Sequence, residues 1–175
     1  MSPESTSHVI NSPRRLVAIL LADISGYSRL MGSDEEGIHA RIKRHRREIV
    51  EPTIQEHYGR LIRYTGDGFL AIFESPLEAV RCAIVIQQSM AARNLSLPKN
   101  HWIRYRIGVN LGDVIVEEDD VYGEGVNIAA RLEALADPGG AGPRSRGTSR
   151  RSRPREAARR RRPALPSRGA CASRH

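Results

Sequence analysis

Apolar residues first gather in one run within residues 14–24, which reads Leu-Val-Ala-Ile-Leu-Leu-Ala. A continuous run of this length is typical of a central strand that is buried on both faces. After a turn and a short helix that ends at Met31, isoleucines recur at helical spacing up to about Tyr58, and Pro52 is expected to kink or restart that helix. We expect the helix to bury Ile38, Ile42, Ile49 and Ile54 and to expose a charged face, Arg41, Lys43, Arg44, Arg46 and Arg47.

Glycine residues divide the middle of the chain. Gly59 is predicted to end the long helix in a left-handed conformation. Two short strands, residues 60–64 and 69–73, then flank Thr65-Gly66-Asp67-Gly68. A glycine on each side of Asp67 is a strong hairpin signal.

The remaining pattern predicts a helix, two strands and a last helix. Ser75 and Pro76 are suited to begin a helix that runs from Leu77 to about Asn94. Its apolar stripe is predicted to contain Ala79, Val80, Ala83, Ile84 and residues 86–90. Strands follow at 103–110 and 114–116, separated by a turn or bulge at Gly112-Asp113, and the last helix covers residues 126–136.

The order of these elements predicts an α+β fold. It begins with a ferredoxin-like βαββαβ plan, which packs helices on one face of an antiparallel sheet. In that plan the first and third strands are neighbours at the centre. Asp23, at the end of the first strand, and Asp67, in the hairpin before the third, would then lie close together.

Charge is distributed unevenly along the chain. The formal net charge is +8, yet residues 1–140 hold 16 Lys and Arg against 19 Asp and Glu. Residues 141–175 hold 12 Arg, no Lys and one acid, with a single Leu and no aromatic residue. Such a composition cannot form a packed core. We therefore predict a disordered N-terminus at 1–13, a domain at 14–140 and a disordered Arg-rich tail at 141–175.

Composition also limits the compartment and the partners. No apolar run approaches the length of a membrane span, and the N-terminus has no apolar signal core. The two cysteines, Cys82 and Cys171, have neither metal-type nor redox-type spacing, which fits a reducing compartment. We expect a cytoplasmic protein with no membrane partner, and the mildly acidic domain argues against nucleic acid as its ligand.

The two lone aspartates are the candidate chemistry. A carboxylate at the end of a buried strand is costly to desolvate unless a cation or a donor waits for it. Taken singly, Asp67 is a common kind of turn residue and Asp23 is a common kind of helix cap. On two neighbouring strands, however, they would form a site for hard divalent metals and a polyphosphate.

Four sequence blocks carry a resemblance to a known family. Residues 22–28 read Ala-Asp-Ile-Ser-Gly-Tyr-Ser, and 65–69 read Thr-Gly-Asp-Gly-Phe. Residues 106–112 read Arg-Ile-Gly-Val-Asn-Leu-Gly, and 120–132 read Asp-Val-Tyr-Gly-Glu-Gly-Val-Asn-Ile-Ala-Ala-Arg-Leu. In this order and spacing, from about Arg14 to Gly140, the chain resembles the class III adenylate/guanylate cyclase catalytic domain.

The resemblance implies a reaction and its metals. The 3′-hydroxyl of a nucleoside triphosphate would attack its own α-phosphorus and release pyrophosphate. Asp23 and Asp67 match the two metal carboxylates, which would hold two Mg²⁺ or Mn²⁺. The backbone from Ile24 through Ser25, Gly26 and Tyr27 matches the segment that ligates metal and cradles phosphate.

Further site residues are implied by the same resemblance. Asn127 and Arg131 match the pair that orients the ribose and stabilises the transition state, although on their own they read as a helix cap and a surface arginine. Arg106 matches a phosphate-contact arginine, and an exposed strand residue is its plain alternative. Arg63 and Asp120 match the base-selecting pair, where Arg63 replaces the family's lysine. Asp120 suits the adenine amino group, so we expect ATP first and GTP second.

The family's sites lie between two subunits, one giving the metal aspartates and the other the Asn127/Arg131 pair, so the resemblance implies a homodimer. It also implies closing strands and a phosphate-contacting lysine after Gly140, which residues 141–175 do not supply. We expect a domain that is incomplete at its C-terminal end, followed by sequence translated out of frame. Two alternatives stay open: an inactive nucleotide-binding or regulatory module, and nucleic-acid binding through the tail.

Overall fold

The computed structural model describes residues 14–32 and 34–141. In chain order the elements are β1 (Arg14–Ile24), α1 (Tyr27–Met31), α2 (Glu35–His45), a π-helical turn (Arg46–Val50), α3 (Glu51–Glu56), β2 (Gly59–Thr65), β3 (Gly68–Phe73), α4 (Pro76–Asn94), a 3₁₀ turn (Lys99–His101), β4 (Tyr105–Val116), β5 (Val121–Tyr122) and α5 (Glu124–Leu135). The segments predicted to be disordered, 1–13 and 141–175, lie outside the described residues apart from Ala141, which forms a parallel bridge with Ile107.

A five-stranded antiparallel sheet in the order β2-β3-β1-β4-β5 forms the centre. The long apolar strand β1 lies in the middle, as its sequence predicts. It pairs with β3 from Ala18↔Phe73 to Ala22↔Phe69, and with β4 along its whole length. The predicted neighbourhood of the first and third strands is therefore confirmed.

The two faces of β1 bury different sets of side chains, because successive residues of a strand point to opposite faces. Ala18, Leu20 and Ala22 pack in one cluster with residues of α1 to α4. Val17 and Ile19 pack in a second cluster that includes Ala129 of α5. The helices of the βαββαβ plan share one face as expected, whereas α5 covers the opposite face.

The charged helix after β1 consists of three pieces. Asp34 caps α2 by accepting a hydrogen bond from the backbone N–H of Gly37 at 3.0 Å. A π-helical turn then leads into α3, whose first turn contains Pro52. Proline has no N–H to continue the α-helical ladder, so the predicted restart at Pro52 is confirmed. The four predicted core isoleucines are all buried.

Gly59 follows the helix as predicted, but it does not adopt the predicted left-handed conformation. The positive backbone angle at the end of α3 belongs to Tyr58, with φ of 56°, and Gly59 is the first residue of β2. A β-carbon at Gly59 would lie 2.3 Å from the ring of Phe73. The missing side chain therefore makes room for Phe73.

Two other expectations also need correction. The turn or bulge predicted at Gly112-Asp113 is absent from the described strand, since β4 pairs with β1 without a break from Tyr105 to Ile115. On α4, Val80 and Ile84 are exposed, whereas Ala79, Cys82, Ala83, Ile86 and Met90 form the buried stripe. The helix has more apolar residues than its buried face needs, so composition alone chose too wide a stripe.

Across residues 14–32 and 34–141, no helix combines the length and the apolarity required to cross a bilayer.

Candidate active site

The two candidate metal aspartates come together at one end of the sheet. Asp23 is the last residue but one of β1, and Asp67 lies in the tight turn between β2 and β3. Their carboxyl groups are within hydrogen-bonding reach of each other, and both are half-buried. Burial first, and then the neighbouring Asp23 carboxylate, raise the pKa of Asp67. The charge of Arg106 opposes this rise.

The hairpin turn that carries Asp67 is unusually constrained. Thr65 pairs with Gly68, which leaves Gly66 and Asp67 as the two turn residues. Gly66 has φ of 71°, and Asp67 is not among the residues with positive φ, a pattern that matches a type II′ turn. A β-carbon on Gly68 would lie 2.0 Å from the carbonyl oxygen of Ala22. The turn is thereby pressed against the backbone beside Asp23.

Arg106 stands opposite Asp23 in the β1–β4 register, which explains why the two side chains meet. Its Nη2 donates to Asp23 Oδ2 at 2.6 Å, and its Nε lies 2.9 Å from Glu133 Oε1. The hydrogen bond to Asp23 raises the pKa of Arg106. Arg106, predicted to contact phosphate, is thus held between two carboxylates.

Glu133 is a site residue that sequence reasoning missed. It belongs to the inward stripe of α5, at four-residue intervals after Gly125 and Ala129, and is 8% exposed. Its contact with Arg106 is an ion pair without hydrogen-bond geometry. Burial raises the pKa of Glu133, and the charge of Arg106 opposes that rise. An acid on an otherwise small-residue stripe was the available signal in the sequence.

The donor set around Asp23 fits hard divalent cations. Three carboxylates, of Asp23, Asp67 and Glu133, surround one guanidinium, that of Arg106. In the part of the chain that the structure describes, no group of three or more His, Cys, Asp or Glu side chains is arranged to hold a metal. Mg²⁺ is commonly bound by one or two carboxylates together with substrate phosphates. The Asp23–Asp67 pair supplies such a set.

The segment after Asp23 turns sharply away from the sheet. Ile24 buries its side chain in the core beside α1, and the N–H of Ser25 donates to the carbonyl of Arg104 at 2.9 Å. Gly26 has φ of 70°, and Tyr27 begins α1. The backbone from Ile24 to Tyr27 therefore lies directly beside the aspartate pair.

Arg63 and Asp120, predicted as a base-selecting pair, also meet. The Nε of Arg63 lies 3.1 Å from Asp120 Oδ1, which also accepts the backbone N–H of Val121 at 2.8 Å. A hydrogen bond to Asp120 raises the pKa of Tyr122. Because β2 and β5 are opposite edges of the sheet, this contact requires the sheet to curl.

Asn127 and Arg131 do not join the aspartate pair. Both are exposed on α5, and the side chain of Arg131 is 72% exposed. Within the described residues, their polar contacts are with Glu124 of the same helix, at 3.5 Å in each case. The structure leaves this pair facing outward, on the helix that covers the other face of the sheet.

Comparison with known proteins identifies the family of the domain. The profile of the family described as the adenylate and guanylate cyclase catalytic domain matches residues 9–141. A putative adenylate cyclase 3 of Rhizobium meliloti is 54% identical over 127 residues, which are 73% of this chain. The chain spans only 22% of the length of that relative.

Solved structures show the same fold. The adenylate/guanylate cyclase/hydrolase from Silicibacter pomeroyi has a TM-score of 0.67 and 47% identity, covering 74% of this chain and 75% of that one. The guanylyl cyclase Cya2, at 24% identity and a TM-score of 0.66 over 74% of this chain and 75% of its own, supports the fold alone. The fold and the profile together show that the chain belongs to the adenylate and guanylate cyclase catalytic domain family.

Proposed function

We propose that this domain converts ATP, and GTP as a second choice, into the 3′,5′-cyclic nucleotide and pyrophosphate. The 3′-oxygen forms a bond to the α-phosphorus while the bond from that phosphorus to the bridging oxygen breaks. Pyrophosphate leaves with the electron pair, and the hydroxyl proton passes to solvent. The observation that carries the proposal is the half-buried Asp23–Asp67 pair, which lies beside Arg106 at the end of the sheet.

Two Mg²⁺ or Mn²⁺ ions are the cofactors that this pair would hold, through Asp23, Asp67 and the backbone oxygen of Ile24. When bound, such ions acidify the hydroxyl and neutralise phosphate charge. The chain's own part is to hold one carboxylate near the end of β1 and the other in the turn before β3, the strand that pairs with β1, so that both are in place when substrate arrives.

The positive groups have separate roles in this proposal. Arg106 places a guanidinium beside Asp23, where the negative charge of the triphosphate would lie. The backbone of Ser25, Gly26 and Tyr27 would line the same phosphates. Both sets of groups lie on β1, β4 and the segment that follows β1, which are bonded to each other.

Base selection is assigned to Arg63 and Asp120. The Asp120 carboxylate is an acceptor, which favours the adenine amino group over the guanine carbonyl. The Arg63 guanidinium, 3.1 Å from Asp120, holds the acceptor in place. We therefore propose that the domain prefers ATP to GTP as its substrate.

A homodimer would complete the site. Asn127 and Arg131 are exposed and bonded only to Glu124 within the described residues, so they are free to reach a second copy. One chain would supply the aspartates and its partner the Asn127/Arg131 pair, giving two equivalent sites under twofold symmetry. These two residues would then orient the ribose and stabilise the charge of the transition state.

Product formation tests the proposal. Purified protein is incubated with Mn²⁺ and ATP or GTP, and cyclic AMP and cyclic GMP are quantified beside an Asp67→Ala control. We expect cyclic AMP in excess of cyclic GMP, and no product from the control. Folded protein that binds the nucleotide without turnover would overturn the proposal in favour of an inactive binding module.

A further inference from the structure

Arg46 was predicted to lie on the exposed, charged face of its helix, but the structure places it elsewhere. It is half-buried, and its guanidinium carbon lies 4.1 Å from the centroid of the Tyr64 ring. A guanidinium at this distance over an aromatic face is held by cation–π attraction. Arg46 therefore has a defined position against β2.

The π-helical turn helps to hold Arg46 against Tyr64. The N–H of Glu51 donates to the carbonyl of Arg46, the five-residue hydrogen bond that defines the turn. Glu51 Oε1 in turn accepts the hydroxyl of Tyr64 at 2.6 Å. Arg46 contacts the ring of Tyr64 and Glu51 accepts its hydroxyl, and a backbone hydrogen bond joins Arg46 to Glu51.

From this position Arg46 reaches the turn that carries Asp67. Its Nη2 donates a hydrogen bond to the carbonyl oxygen of Gly66. That carbonyl belongs to the peptide group that joins Gly66 to Asp67. In a two-residue hairpin this is the central peptide, and its rotation changes the turn type and the direction of the second residue. The hydrogen bond fixes the orientation of this peptide.

We propose that Arg46 is a positioning residue for Asp67: through the Gly66 carbonyl it locks the hairpin turn in the form that turns the Asp67 carboxylate toward Asp23. The inference rests on the proposed function in assigning Asp67 to a metal site. It gives the π-helical turn a role, because that turn joins Arg46 to the other anchor of Tyr64.

The test compares Arg46→Met, Arg46→Lys and the matched control Arg47→Met in the full chain. Arg47 is the next residue, and its side chain is 75% exposed. One readout is the amide resonances of Gly66, Asp67 and Gly68 in ¹⁵N-labelled protein without metal. The other is binding of Mn²⁺ alone, followed by the electron paramagnetic resonance signal of the free ion.

We expect Arg46→Met to broaden or double the turn resonances and to weaken Mn²⁺ binding by about tenfold, as removal of a supporting residue around a metal site typically does. Arg46→Lys keeps a charged donor and should fall between Arg46→Met and wild type, while Arg47→Met should match wild type. Turn resonances and Mn²⁺ affinity in Arg46→Met equal to those of Arg47→Met would overturn the proposal.

Two further outcomes are decisive. If Arg46→Met does not fold, Arg46→Lys takes its place, because it keeps a positive charge over the Tyr64 ring but loses the guanidinium that donates to the Gly66 carbonyl. Turn resonances and Mn²⁺ affinity in Arg46→Lys equal to those of Arg47→Met would then overturn the proposal. If wild-type protein binds no Mn²⁺ while the turn resonances still respond to Arg46→Met, the anchoring of the turn is upheld and the proposed metal chemistry fails instead.

Discussion

At the scale of single residues, Asp67 owes its properties to the atoms packed around it. Its turn allows a positive φ at Gly66 and a close approach of Gly68 to the Ala22 carbonyl. These two glycines flank the same aspartate, yet they are needed for different reasons. Gly66 supplies a backbone angle, whereas Gly68 supplies space.

Alanine substitutions should separate these two roles. Gly66→Ala has open space around its new β-carbon, so it should cost only the left-handed strain of about 1–2 kcal/mol in the free energy of unfolding. Gly68→Ala drives its β-carbon into backbone that cannot rotate away, and should cost about 3 kcal/mol or more. Urea unfolding of both variants measures the difference. Equal losses would contradict the packing described here.

The sequence predicted the aspartates but not their supports. Asp23 and Asp67 are visible because each interrupts an apolar or glycine-rich pattern locally. Glu133 and Arg46 act on partners that are 27 and 20 positions away, Arg106 and Gly66, which only the folded chain brings near. Such contacts follow from register and helix placement, and no local pattern encodes them.

At the scale of elements, the strands and helices were largely predictable because burial imposes a clear period on them. The errors occurred where the pattern was ambiguous. Glycine at 112 suggested a break in β4, but the strand continues because β1 pairs with it on both sides of that point. The apolar stripe of α4 was drawn too wide, since Val80 and Ile84 face outward.

The junction of α2, the π-helical turn and α4 contains a buried histidine. His45 is 5% exposed, and within the described residues its Nδ1 has no hydrogen-bond partner. Burial, and then the charges of Arg93 and Arg41, lower the pKa of His45 from 6.5 to about 4, with a smaller contribution from Arg44; Glu48 opposes the change. The folded protein therefore resists protonation at this position.

This pKa predicts how stability depends on pH. Below pH 6.5 the unfolded chain takes up a proton at His45, whereas the folded chain does not until about pH 4. The free energy of unfolding is therefore unreduced by this group above pH 6.5 and decreases as the pH falls from 6.5 toward 4. The loss should amount to about 3 kcal/mol at most. The free energy of unfolding, measured with urea from pH 7 to 4, should decrease less steeply with falling pH in His45→Leu than in wild type.

His39 offers a matched control for that measurement. It lies on the same helix, α2, and is exposed. His39→Gln should keep the wild-type slope of unfolding free energy against pH. A wild-type slope in His45→Leu would show that His45 is not the group responsible.

At the scale of the whole molecule, the two sets of proposed site residues lie on different parts of one chain. Asp23 and Asp67 share one end of the sheet, whereas Asn127 and Arg131 point outward from α5. The family resemblance implied this separation, whereas the pattern of the sequence alone does not show which face of the sheet α5 covers. In the proposed homodimer, the Asn127/Arg131 pair of a second chain would complete the site that contains Asp23 and Asp67.

Complementation between two inactive variants tests this account most directly. Asp67→Ala and Arg131→Ala are purified separately, then mixed and assayed for cyclic nucleotide from ATP with Mn²⁺. Each variant alone should be inactive. In a mixture that exchanges subunits, half of the dimers carry one intact site, so about a quarter of the wild-type activity should return. A mixture that stays inactive beside active wild-type protein, or full activity in Arg131→Ala alone, would contradict the account.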